Sequence, residues 1–145
     1  MKPILMACTF LLLLLGMLLS AIQVQAEDKS TKEDRVYEMR TYYAAAGKLD
    51  ALHARFRDHT CKLFEKHGMT NIAYFVPLKD GDERLIYFLA HKSPEAAKES
   101  FDAFRKDPDW VKARKESEEK AGGPLTAKDG VKSIMMKPTD YSPLK

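Results

Sequence analysis

Two apolar segments, "NIAYFVPL" (71–78) and "RLIYFLAH" (84–91), constrain this chain more than anything else in it. Only "KDGDE" separates them, a length and composition that suit a hairpin loop turning at Gly81. A sheet with one face in water alternates apolar and polar residues along each strand. These strands barely alternate, so both of their faces need cover. Helices from the same chain can cover one face. A second copy of the domain, packed sheet to sheet, is the cover expected for the other.

The flanking sequence supplies the rest of the architecture. "RVYEMRTYY" (35–43) is β-rich and alternating, and reads as a first strand. From Gly47 the pattern becomes helical, with Leu49, Leu52, Phe56, Leu63 and Phe64 on one face and Gly68 as the stop. "SPEAAKESFDAFRK" opens a second helix, with Ser93 as its cap and Pro94 in its first turn. Asp107 and Pro108 repeat that device, so the helical region is expected to break and restart there. "AGGPLTAKDG" reads as a loop and "VKSIMMKP" (131–138) as a last strand. The order β-α-β-β-α-β is that of an α+β, ferredoxin-like domain, an antiparallel sheet with helices on one face.

The N-terminus is organised as an export signal. Lys2 precedes the apolar run "ILMACTFLLLLLGMLLSAI", and Val24 and Ala26 are small residues suited to cleavage after Ala26. Residues 1–26 are therefore assigned to a signal peptide, 27–34 ("EDKSTKED") to a disordered arm, and 35–145 to the folded domain. The expected destination is periplasmic or secreted, with no membrane association after cleavage. The run from Ile4 to Ile22 is also long enough to span a bilayer, so an uncleaved anchor is the alternative. Cys8 lies in the leader, which leaves Cys61 without a partner for an internal disulfide. Of the 24 basic residues only Lys2 lies in the leader, and the others are interleaved with 21 acidic ones, as in "RKESEEK". That pattern argues against a nucleic-acid partner.

Candidate polar groups lie on the first strand. Glu38, Arg40 and Tyr42 share one of its faces, opposite Tyr37, Met39 and Thr41. If Met39 packs under the helices, Glu38 and Arg40 look into a cavity between two sheets. There they would form a charge pair or anchor a small ligand. Tyr74 and Tyr87 are candidates for the same lining. His91, at the end of its strand, is the weak candidate for a general base. Trp110, just inside "DPDW", is expected to staple the restarted helix to the core.

"RFRDHTCKLFEKHGM" (55–69) invites a metal or nucleophile reading that helical geometry rejects. On an ideal helix Cys61 points about 160° from His59 and about 120° from His67, and the two histidines are two turns apart. No metal site is expected from them. His59 is expected at the core margin, Cys61 on the helix flank, and His67 bonding the helix's terminal carbonyls. The chain also has no phosphate loop, no G-x-S-x-G and no H-E-x-x-H. No cofactor is expected.

Taken together, "VYEMRTY", "GKLDALHARFRDHTCKLFEKHGM", "FDAFRKDPDWVKARKESE" and "KPTDYSP" resemble the NIPSNAP family over residues 36–143. The resemblance implies a dimeric α+β barrel, a superfamily that includes cofactor-independent oxygenases, haem-handling proteins, isomerases and stress-response domains. It carries over no catalytic residue. Ala46 stands where many relatives have proline. The function expected first is binding of a small apolar or aromatic molecule in the barrel cavity of a homodimer. The alternatives are a cofactor-independent oxygenase or isomerase type of enzyme, and a protein-interaction module without chemistry.

Overall fold

The computed structural model describes residues 35–144. The assignments of 1–26 and 27–34 concern segments outside the described residues. Strands β1 (Val36–Ala44), β2 (Thr70–Phe75), β3 (Arg84–His91) and β4 (Thr126–Met136) form one antiparallel sheet in the order β2-β3-β1-β4. With the first and third strands central and two helical crossovers on one face, this is the ferredoxin-like α+β fold. β2 stops sooner than "NIAYFVPL" suggests. β4 starts earlier, inside the stretch read as a loop. It contains a kink at Asp129, whose φ is +54°, followed by Gly130. A Cβ at Gly130 would meet the carbonyl oxygens of Ala127 and Tyr43 at 2.9 Å, so only glycine lets β4 close on β1 there.

The first crossover is α1 (Leu49–Arg55), a π turn (Phe56–Thr60) and α2 (Cys61–Lys66), joined without leaving helical backbone. The π turn inserts one residue into the helical repeat. It keeps Leu52, Phe56, Thr60, Leu63 and Phe64 all buried against the sheet, and the Thr60 hydroxyl donates to the Arg55 carbonyl at 3.2 Å. Gly68 ends the rod at φ +77°: its N–H reaches the Glu65 carbonyl at 3.0 Å, and that of Met69 reaches Phe64 at 2.9 Å. These two bonds form a Schellman stop.

The second crossover is α3 (Pro94–Lys106) and α4 (Pro108–Lys120). Ser93 caps α3 by accepting from the Ala96 N–H at 3.1 Å, and Asp107 caps α4 by accepting from Asp109 at 2.8 Å. Asp107 has a second role that its position as a cap does not reveal. Its other carboxylate oxygen lies 2.8 Å from Lys66 Nζ and 2.7 Å from His67 Nε2. His67 thus ties the end of α2 to the start of α4, where bonds to terminal carbonyls were expected. Hydrogen bonds from Lys66 and His67 hold the Asp107 carboxyl far below its usual range. Trp110 packs on Phe104, with ring centroids 4.4 Å apart, and carries the Arg55 guanidinium over its ring at 5.2 Å.

Candidate functional site

The structure reverses the facing expected for β1. Glu38, Arg40 and Tyr42 lie under the helices, and Tyr37, Met39 and Thr41 occupy the face the helices leave open. The contacts decide this. The Arg40 guanidinium sits 4.4 Å over the ring of Phe101 on α3, and Tyr42 meets Phe56 of the π turn edge-on at 5.7 Å. Tyr87, opposite Arg40 in the β1–β3 register, is completely buried against Phe56 and Phe64. Tyr74 stacks on Tyr87 with ring centroids 5.3 Å apart. All five residues considered for the lining of an intersheet cavity are therefore on the helix side of the sheet.

There they build one polar network inside an aromatic core. Arg40 donates to a Glu38 carboxylate oxygen at 2.5 Å, and its Nε donates to the Tyr87 hydroxyl at 2.9 Å. The other Glu38 oxygen lies 3.1 Å from His91 Nε2. Burial works to raise the Glu38 carboxyl, but the hydrogen bonds and charges of His91 and Arg40 outweigh it and leave the group below its usual range. For Arg40, burial opposes the charge while Tyr87, Tyr42 and Glu38 more than restore it. Burial above all keeps the Tyr87 phenol neutral, well above its usual range. His91 has no exposed side-chain surface, and its Nδ1 has no partner. A general base must come within about 2.6–3.2 Å of the proton it takes. In this geometry His91 meets Glu38, not a cleft.

The open face is different in kind. Across it run the register rows Tyr37–Ala90–Met136, Met39–Phe88–Ile134 and Thr41–Ile86–Lys132, with Ala73 and Phe75 beside Phe88 and Ile86 on β2. Phe75 and Ile134 are each 54% exposed. At one end the segment after β4 folds back, turning where the Ser142 N–H bonds the Thr139 carbonyl at 3.0 Å. Between it and the sheet lies a cleft of about 440 Å³, walled by Tyr37, Ile72, Phe75, Phe88, Met136 and Leu144. The alternation in β1 already separated Tyr37 from Glu38. The contribution of residues 137–144 had no periodic signal to reveal it.

The histidines and cysteine of residues 55–69 are not brought together. His59 is exposed beside α4 and Cys61 is half-buried on the flank of α2. Among the described residues no group of three or more His, Cys, Asp and Glu side chains is placed to hold a metal ion. Cys61 borders a separate cleft of about 270 Å³ with His53, Arg57 and Tyr74. We expect Cys61→Ser to change unfolding free energy by less than about 1 kcal/mol in urea titrations, because the thiol sits at the core's edge. A larger loss would show the thiol to be part of the packed core.

The ferredoxin-like fold has many users, and the sequence narrows them. Residues 37–143 match the NIPSNAP family, and the chain belongs to it. Among solved structures it is similar to a NIPSNAP family protein of unknown function from Agrobacterium tumefaciens. That pair has a TM-score of 0.64 at 22% identity, over 78% of this chain and 96% of the other. A second NIPSNAP family protein from the same organism gives a TM-score of 0.65 at 20% identity, over 77% and 99%. A NIPSNAP-like domain protein from Burkholderia xenovorans gives 0.64 at 14% identity, over 78% and 93%. These likenesses establish the fold. A search of curated proteins found no significant match.

Proposed function

We propose that this NIPSNAP-family domain is exported, pairs sheet to sheet as a dimeric α+β barrel, and binds a small apolar or aromatic molecule at the open face. The observation that carries the reading is the cleft between that face and residues 137–144. Its volume, about 440 Å³, falls in the range of about 300–1,000 Å³ usual for small-molecule sites. Its walls are aromatic and aliphatic, and its few polar groups are hydroxyls and one amine. That lining favours holding a ligand over acid–base chemistry. The Glu38–Arg40–His91 network lies on the other side of the sheet, where it fixes the positions of β1 and β3 behind the cleft.

The neutral fluorophore N-phenyl-1-naphthylamine tests the binding reading. Saturable fluorescence enhancement is expected with the mature protein, weakened at least tenfold by Ile72→Asp, which places a charge in the apolar wall. Enhancement that never saturates, or that ignores Ile72→Asp, would contradict it. Export has its own check. Intact-mass measurement on the protein from a secreting host should give a chain beginning at Glu27, whereas retention of residues 1–26 would support the anchored alternative.

A further inference from the structure

The chemistry of the cleft differs from wall to wall. The sheet side is hydrocarbon and aromatic, from Tyr37, Ile72, Ala73, Phe75 and Phe88. The polar groups Lys137, Thr139 and Ser142 all come from the segment after β4. Among the described residues Lys137 is the one charged member of the lining, and none of their carboxylates lines the cleft to neutralise it. It is exposed and makes no ion pair with any described residue. Asp140, nearby in sequence, is engaged by other contacts and does not line the cleft.

We infer that the molecule taken by this cleft is an amphiphilic acid of the medium-chain fatty-acid type, its apolar body on the sheet wall and its carboxylate at Lys137. The inference rests on the binding reading above and specifies its ligand class. A hydrocarbon would satisfy the sheet wall and leave the Lys137 ammonium without a counter-charge. An alkylamine would bring its charge up to that of Lys137. A carboxylate accepts from the ammonium in a charge-assisted hydrogen bond and can also accept from the Ser142 hydroxyl. The flexible lysine stem lets the ammonium follow ligands of different length while its methylenes remain against the apolar wall.

The test displaces N-phenyl-1-naphthylamine from the mature protein with decanoate, decanol and decylamine, which share one chain and differ in head group. Decanoate is expected to displace the dye at roughly tenfold lower concentration than decanol, with decylamine weakest. In Lys137→Met the preference for acid over alcohol should fall to within about twofold, and in Lys137→Glu decylamine should overtake decanoate. Lys62→Met, which removes an exposed charge from α2 on the helix side of the sheet, away from the cleft, should keep the wild-type order. Thermal melts of all variants will separate loss of preference from loss of fold. Equal displacement by the three head groups, or a preference that survives Lys137→Met, would overturn the acid assignment while leaving the apolar cleft standing. Failure of both the dye and directly titrated decanoate to bind would remove the cleft reading and this inference together.

Discussion

Replacing Glu38 with leucine should lower the unfolding free energy by about 3–5 kcal/mol, a large share of the roughly 5–15 kcal/mol a domain of this kind possesses. The carboxylate is 5% exposed and bridges Arg40 to His91. Without it the Arg40 guanidinium, itself only 13% exposed, keeps the Tyr87 hydroxyl and the Phe101 ring but loses its counter-charge. His91 would then have no partner on either ring nitrogen. A buried charge that loses its partner costs more than the pair contributed when intact. Urea unfolding will measure the loss, and a change below about 1 kcal/mol would show that the network is not coupled to folding. The same carboxylate carries a pH dependence. Its folded value lies below the ordinary value of 4.5, so its stabilisation is fully present above that pH and is lost as pH falls through the folded value. Other carboxylates share this acid limb. Subtracting the curve for Glu38→Gln from that of the wild type isolates the Glu38 share, which should shrink as the solution is acidified below about pH 4.5.

Ile134→Glu should break the assembly and destabilise the chain it releases. Ile134 sits in the middle register row of the open face, between Met39 and the sheet's edge, and is 54% exposed in the single chain. In the proposed dimer a second sheet covers it. A carboxylate there would have to be buried unpaired or keep the sheets apart, and either outcome should weaken association at least 100-fold, close to 3 kcal/mol. Sedimentation velocity over a dilution series reads this directly. The isolated chain would leave Phe75 and Ile134 in water and forgo about 1.5–3 kcal/mol for each large side chain, so dissociation should also lower the melting temperature. An Ile134→Glu protein with wild-type sedimentation would exclude this face as the interface.

What was legible in the sequence and what was not follow a physical division. Ser93 with Pro94, Asp107 with Pro108, and Gly68 each answer a demand made by the backbone within a few residues. They could be read without knowing the rest of the fold. The facing of β1 could not. Alternation shows that Glu38 and Arg40 share a side but not which side the helices cover, and β3 offers large apolar residues on both, Leu85, Tyr87 and Leu89 against Ile86 and Phe88. The burial of Glu38 and Arg40 depends on Tyr87 and His91, which lie 47 and 53 positions away from their partners. An apolar position was the natural choice for the core until those partners were known. The π turn was hidden for a related reason, since one extra residue within a helix leaves the apolar spacing on either side intact. The cleft escaped because one of its walls is an irregular segment with no period to detect.

Whether the open sheet face is an interface can be read by light scattering on the mature protein, residues 27–145. At micromolar concentration the expected mass is that of two chains, held down to the dilution at which unfolding begins. A folded species with the mass of one chain at the same concentration would contradict it.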